Sequence, residues 1–500
     1  MNPLKAAEYR VLGAALVVRL IIASQAPLFP DETYYWDWSR RLATGYFDHP
    51  PLVAWLIRCG TMVFGDTPLG VRAGAVIVGI LGSLIIAITA RRLAGDRAAF
   101  VAAVVFAVMP LSAAGLVLAT PDAGLLAAAA AVIYAVLRAM EHPAGSRQSL
   151  LWWCVAGAAQ GIAFWSKYTA ILVPAGLAIA LALHAELRVR LREAGPYVAT
   201  IIASLVFAPV LLWNANHNWV SFTFQLQHGL VGSGGSILRR ESELIGGQLG
   251  LVSPILFTMM VIAVVKGLRG SAATVNTKLL SLTSLFVIAF FAYSATQRRV
   301  EANWPALAYV PATLLLASRA RTPRWDRWLN GGIAIAVAVS LVAYINTFVP
   351  ILPVSAPRDP AARASGWDEL ATAVARARDS LPSGHTFVAG NRYQEASELA
   401  FHLADHPETF ALNVDARPNH YDLWPGFDRR AAKGDNLVLV VDDMAGIHPA
   451  AATLAQHFAA MTQGAHISLT RRGSVVKNLR IWVLSGWRGT WPPAPIRSRP

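Results

Sequence analysis

The sequence predicts an α-helical polytopic membrane protein, with about eleven transmembrane helices and a small C-terminal α/β domain outside the membrane. Three observations carry that prediction. The 500 residues are 55% hydrophobic and 14% charged, with a mean hydropathy of +0.45, whereas a soluble globular chain carries about 25% charged residues. Apolar runs of bilayer-crossing length, roughly 17–25 residues, recur as far as residue 349. Beyond Pro350 the composition turns to that of a water-soluble domain.

The first span is placed at 11–28. A basic start followed by an apolar run resembles a signal peptide, but Arg19 interrupts the run and more membrane-like sequence follows. It is therefore read as a retained helix. Further spans are placed at 71–90, 98–118, 122–139, 150–166, 168–186, 197–213, 249–267, 279–295, 303–318 and 331–349.

Alternate loops hold Arg91, Arg92 and Arg97; Arg138 and Arg147; Arg188, Arg190 and Arg192; Lys266, Arg269 and Lys278; and Arg319, Arg321, Arg324 and Arg327. All fall on the side of Lys5 and Arg10, which the positive-inside rule makes cytoplasmic. The net charge of +14 belongs to these loops and to lipid phosphates. A nucleic-acid partner is excluded, because no basic stripe interleaves with aromatics. Cys59 and Cys154 lie in or beside apolar runs and read as small buried hydrophobes.

The opposite, periplasmic face collects the first loop (about 29–70), Thr120-Pro121-Asp122, Trp165 to Tyr168, the 214–248 loop, Gln297 to Trp304, and everything after 349. Asp31 and Glu32 open the first loop at the membrane edge, where a carboxylate is costly unless solvated or functional. Tyr34, Tyr35, Trp36 and Trp38 follow, spaced for a helix lying in the membrane interface. Asp48-His49-Pro50-Pro51 reads as a turn, with Asp opening it and the prolines fixing the backbone. Thr120-Pro121 starts a helix, and Asp122 either caps that helix or supplies a second carboxylate. Lys167, Arg298 and Arg299 are cations on a face with few of them, explained by a lipid phosphate or by snorkelling to headgroups. Asn214, Asn216, His217, Asn218, Gln225, Gln227 and His228 form an amide- and imidazole-rich loop that suits sugar hydroxyls, a metal or plain solvent.

Residues 350–360 form a proline-studded linker, separating a transmembrane domain over 1–349 from an α/β domain over 361–500. Within the latter, 386–389, 409–414, 437–441 and 480–484 read as strands, and 396–404 and 450–460 as helices. Asn391 to Glu395 reads as a solvated turn or a substrate-facing loop.

Taken in order, Asp-Glu after the first span, Tyr-Tyr-Trp, Tyr-Phe-Asp-His-Pro-Pro-Leu, Thr-Pro-Asp, Ser-Lys-Tyr-Thr, Asn-His-Asn-Trp and Ala-Asn-Trp-Pro resemble a known family. They are similar to bacterial membrane glycosyltransferases of the C-type (GT-C) fold. The group most resembled is protein-mannosyltransferase-like and includes lipid A aminoarabinose and lipopolysaccharide galacturonosyl transferases. The resemblance covers about residues 10–350, and the C-terminal domain resembles such enzymes' extra periplasmic domain more loosely.

The resemblance implies a polyprenyl-phosphate-linked sugar donor, a lipid or glycolipid acceptor, and work on the outer face of the bacterial inner membrane. It makes Asp31 the essential first-loop carboxylate and Asp122 its second. Glu32, Tyr35, Lys167, His217, Arg298, Arg299 and Asn303 are then expected at the substrate. Some members hold a metal beside a Glu-Lys pair, for which the 46–60 stretch has no clear counterpart, so a divalent metal and the identity of the sugar stay open. Two alternatives remain at this point: a transporter or flippase of a lipid-linked sugar, and a transferase acting on protein hydroxyls.

Overall fold

The computed structural model describes residues 6–230, 232, 235–269, 273–319, 322–381, 384–414 and 417–492. Lys5, Arg321 and the side chain of His228, placed above in loops, lie outside the described residues. The chain forms two compact units, one from Met1–Gln25 with Leu42–Tyr344 and one from Ala26–Arg41 with Ile345–Pro500.

The first unit is helical. Among the described residues, five helices of the chain are by themselves long and apolar enough to cross a membrane, and eight spans result if three bent helix pairs each count as one. The five are Pro68–Ala94, Pro121–Met140, Gly195–Asn216, Val275–Gln297 and Pro323–Phe348.

Proline explains where expected spans break. The 98–118 span divides into Asp96–Val108 and Pro110–Gly115, because Pro110 has no amide to continue the ladder. Ile237–Val252 and Pro254–Arg269 meet at 102°. Ser253 there has φ 78°, and its Oγ donates to Gly332 O (3.2 Å) while accepting from the Leu256 amide (3.3 Å). The first loop is not irregular, since it contains the helices Pro30–Ser39 and Leu52–Phe64.

Small residues let helices approach closely, as membrane helices favour. Gly157 and Gly161 of helix Arg147–Ser166 lie one turn apart against Ala199 and Val206 of helix Gly195–Asn216.

The basic loops meet at one end of this unit. Arg91 pairs with both Glu8 and Asp96, Arg92 with Glu141 (2.7 Å), Arg97 with Asp326 (3.1 Å) and Lys278 with Glu186 (3.9 Å). Arg190 donates to the Met140 and His142 carbonyls (3.1 and 2.7 Å), filling acceptors left at the end of helix Pro121–Met140. The two arginines buried within the helices are also used. Arg72 donates to Ala23 O (3.3 Å), and Arg19 reaches Ala107 O (3.4 Å).

The second unit is built on five strands: β1 Thr386–Gly390, β2 Thr409–Ala411, β3 Asn436–Asp442, β4 Phe458–Arg471 and β5 Ser474–Trp487. Their order is β2-β1-β3-β5-β4, with β1 parallel to β2 and β3, and β5 antiparallel to β3 and β4. One face packs Trp367, Leu370, Val374 and Leu399 against Val438 and Ile481; the other packs Phe410, Phe427, Leu454 and Trp487 against Leu437 and Leu439.

The expected helix at 450–460 stops at Ala455, and β4 begins at Phe458. As an edge strand with half of its residues exposed, β4 lacks the apolar alternation that marks a strand in sequence. Helix Trp367–Asp379 was likewise missed, although acids open it and arginines close it. The linker folds as well. Asp359 accepts from Asn346 Nδ2 (2.8 Å), the Ala361 amide (3.0 Å) and Arg471 Nε (2.6 Å), and Arg471 also donates to Asn346 O.

Candidate functional site

In the first unit, helix Pro121–Met140 begins with Pro121 in its first turn and Asp122 next to it. Asp122 is 8% exposed, and its carboxylate is gripped from two distant parts of the chain. Lys167 Nζ lies 2.8 Å from Oδ1, and Asn303 Nδ2 donates to Oδ2 at 2.6 Å. Ser166 Oγ donates to Pro121 O (2.5 Å), tying the Lys167 turn to this helix start. Gly124 makes that approach feasible, because a Cβ there would stand 2.7 Å from Leu52 Cδ2 and 2.8 Å from Ser166 Oγ.

Asn303 is held in turn by a neighbouring network. Gln248 Nε2 donates to Ala302 O (3.0 Å), and Tyr309 OH donates to Gln248 Oε1 (2.7 Å). Three expected site residues thus form one polar cluster: a carboxylate, an ammonium and an amide. Such a group can present one positive charge, oriented by its carboxylate, to an anionic oxygen.

The other first-unit residues are placed differently. Arg298 donates to Gln227 O. Arg299 is largely exposed and faces Glu243 (3.6 Å) and Glu301 (4.0 Å). His217 stacks on Trp213 at 4.0 Å, and its Nδ1 meets Trp213 O at 2.7 Å. The structure brings none of these three into hydrogen-bond contact with Asp122 among the described residues. Tyr46 N donates to His49 O (3.2 Å), and the chain bends over residues 47–49, just ahead of the prolines. Ser221 Oγ and Gln225 Nε2 hold this bend through Tyr46 O (2.8 Å) and Asp48 O (2.6 Å).

In the second unit, Asp31 sits in the first turn of helix Pro30–Ser39, where the helix dipole favours an anion. It is the one exposed residue of that helix, since Pro30 and Glu32 to Ser39 are all buried. Tyr393 OH donates to Asp31 Oδ1 at 2.9 Å. Glu32 is buried, and its Oε2 accepts the Phe29 amide (3.1 Å), a backbone donor at the helix start. Tyr35 lies buried, edge-on to Trp38 at 4.8 Å.

The aromatics expected along the membrane interface are therefore protein core. Tyr34 stacks near Tyr393 (4.5 Å) and Tyr421 (5.9 Å), Trp36 meets Phe401 (5.0 Å), and Trp38 meets His420 (5.6 Å). The physical reason is the second-unit helix Tyr393–His402, which gives these rings an apolar partner other than lipid.

Asp37 and Tyr421 carry no sequence signal, and Tyr393 lies in the stretch read as a solvated turn or a substrate-facing loop without any tie to Asp31. Asp37 is buried and accepts from Tyr421 OH (2.8 Å) and Arg40 Nη1 (3.2 Å). The stretch 391–395 is the junction between β1 and helix Tyr393–His402 rather than a solvated turn. No local signal ties Tyr393 to a residue 362 positions away. Among the described residues no group of three or more His, Cys, Asp or Glu side chains is arranged to hold a metal.

Residues 48–213 match the family model for dolichyl-phosphate-mannose-protein mannosyltransferase. A lipid A galacturonosyltransferase, RgtD of Rhizobium johnstonii, is 30% identical over 325 residues, covering 64% of this chain and 66% of that protein. The undecaprenyl phosphate-α-4-amino-4-deoxy-L-arabinose arabinosyl transferase of Pseudomonas paraeruginosa is 32% identical over 197 residues, which is 36% of this chain and 35% of that one. The matches thus span just under two thirds of the first relative and about a third of the second. In fold, the chain resembles ArnT from Cupriavidus metallidurans bound to undecaprenyl phosphate, with a TM-score of 0.66 at 17% identity, over 97% of this chain and 99% of the other.

Proposed function

We propose that this chain is a membrane glycosyltransferase of the dolichyl-phosphate-mannose-protein mannosyltransferase family, which its similarities support, and that it moves a sugar from a polyprenyl-phosphate donor to lipid A or another envelope glycolipid. The relatives support both substrates, one being a lipid A transferase and the other taking its sugar from undecaprenyl phosphate. The transfer takes place on the periplasmic face of the inner membrane, a reading supported by the gathering of Arg91, Arg92, Arg97 and Lys278 at the other end of the first unit.

The chemistry asks little of the protein. An acceptor hydroxyl oxygen attacks the anomeric carbon as the bond from that carbon to the phosphate oxygen breaks. The electron pair leaves with polyprenyl phosphate, already a good leaving group, so no general acid is required. The hydroxyl proton must go to a base, and Asp31 is that base. The new glycosidic bond has inverted configuration. Lys167, oriented by Asp122 and Asn303, balances charge on the departing phosphate, with Arg298 a further cation for it. Glu32 and Tyr35 act on the substrate through the fold of the Asp31 helix. His217 and Arg299 remain contacts for the bulk of donor or acceptor.

The observation that carries this reading is the Asp31 carboxylate, exposed in a helix otherwise buried, with one oxygen held and the other open. The test is Asp31→Asn in purified full-length protein, given a polyprenyl-phosphate sugar and lipid A in detergent. Release of polyprenyl phosphate is expected to fall at least about a hundredfold, while the protein accumulates and melts normally. Full turnover by the variant overturns the assignment.

A further inference from the structure

We propose that Tyr393 is a positioning residue for the transfer: its phenol fixes the Asp31 carboxylate so that Oδ2 faces the acceptor hydroxyl. The proposal rests on the reading of Asp31 as the base and gives the C-terminal unit a part in the chemistry.

Asp31 has the shape of a base with one oxygen committed. Tyr393 OH donates to Oδ1 at 2.9 Å, and among the described residues no other side chain or ion pair engages this carboxylate. A free aspartate on a helix surface samples several rotamers. A base working on a bound hydroxyl gains from holding one, because misplacement by about an ångström costs on the order of a hundredfold in rate.

Tyr393 is itself built to hold still. Its ring is 8% exposed, packs 4.5 Å from the Tyr34 ring, and lies under the Arg417 guanidinium at 5.0 Å. It opens its helix directly beyond the carboxyl end of β1, which parallel strands flank on both sides. Open α/β sheets commonly place ligand-contacting residues at such strand ends.

Two further bonds lock the Asp31 helix start to the Tyr393 helix. Thr33 Oγ1 and Ser397 Oγ are 3.0 Å apart, and Ser397 Oγ donates to Pro30 O at 3.4 Å. The phenol therefore need not anchor the helix. What it adds is the orientation of one carboxylate.

The experiment is Tyr393→Phe in the full-length protein, which keeps the buried ring and removes one oxygen. Expected are an unchanged melting midpoint, a KM within about twofold, and a kcat lower by about ten- to a hundredfold, a split that a merely structural role would not give. In the Asp31→Asn background the same change should cost nothing further. Wild-type kcat in Tyr393→Phe, or a further loss when the change is added to Asp31→Asn, overturns the proposal. If Asp31→Asn alone turns over fully, the base assignment has failed; if it is inactive while Tyr393→Phe is normal, only the positioning role has.

Discussion

Lys167 Nζ lies 2.8 Å from Asp122 Oδ1 across 45 residues of sequence, and each side chain is 11% exposed. A pair this sheltered is worth more than a surface ion pair, and breaking it from one side leaves the other charge uncompensated. Asp122→Asn, Lys167→Met and the double variant should form a strongly non-additive cycle, with a coupling of about 0.5–3 kcal/mol, read from transfer rates and detergent melting curves. Asn303→Ala should cost less, since it removes one neutral donor. Additive losses would show that the two residues act separately.

Glu398 is wholly buried in helix Tyr393–His402, and burial pushes its carboxyl up to about 7. The Glu32 charge pushes the same way, while His402, at ion-pair distance (3.1 Å) though not in hydrogen-bonding geometry, opposes it. Burial lowers His402, but Glu398 and Asp368 outweigh this and hold it above its ordinary value. Both groups bind protons more tightly when folded. Their contribution is present at low pH and is lost as pH rises, for Glu398 between 4.5 and about 7. Glu398→Gln should flatten the pH dependence of unfolding from pH 5 to 8 and raise stability at pH 8 by up to about 3 kcal/mol. Melting curves of the full chain at those pH values check this.

Asp359 has the opposite sign. Burial opposes its charge, but Arg471, the Ala361 amide and Asn346 together hold its carboxyl below the ordinary value of 3.8. Its contribution is present above 3.8 and is lost as pH falls through the lower folded-state value. Arg471→Met leaves this buried charge unpaired and should cost about 3 kcal/mol or more. Limited proteolysis should then cut first between residues 346 and 365.

Gly157→Ala sets a Cβ against the Ala199 carbonyl oxygen and 2.8 Å from Ala199 Cα. Backbone cannot yield as a side chain can, so a loss of about 1–3 kcal/mol is expected. Gly157→Leu should abolish accumulation in the membrane. Gly13→Ala is the control, since a Cβ there meets nothing within 4 Å.

The helices and strands were legible to different degrees, for physical reasons. A helix such as Pro121–Met140 announces itself because one apolar segment satisfies all its own backbone hydrogen bonds. Strand β4 does not, because its partner β5 supplies the hydrogen bonds and its exposed face carries no pattern. The break at Ser253-Pro254 was readable in principle from proline chemistry, but the apolar run across it masked the bend.

By itself, the sequence determined that this is a helical membrane chain with a C-terminal part that contains strands, and it named Asp31, Asp122, Lys167 and Asn303. Apolar length, charge bias and ordered short motifs are local properties, so they survive in one dimension. Only the tertiary structure decided which of those residues meet. It joined Asp122 to Lys167 and Asn303, turned the aromatics around Asp31 into protein core, and gave that carboxylate its partner in Tyr393. Contacts across 45, 181 and 362 residues depend on which helix faces pack together, and packing is settled only when the whole chain folds.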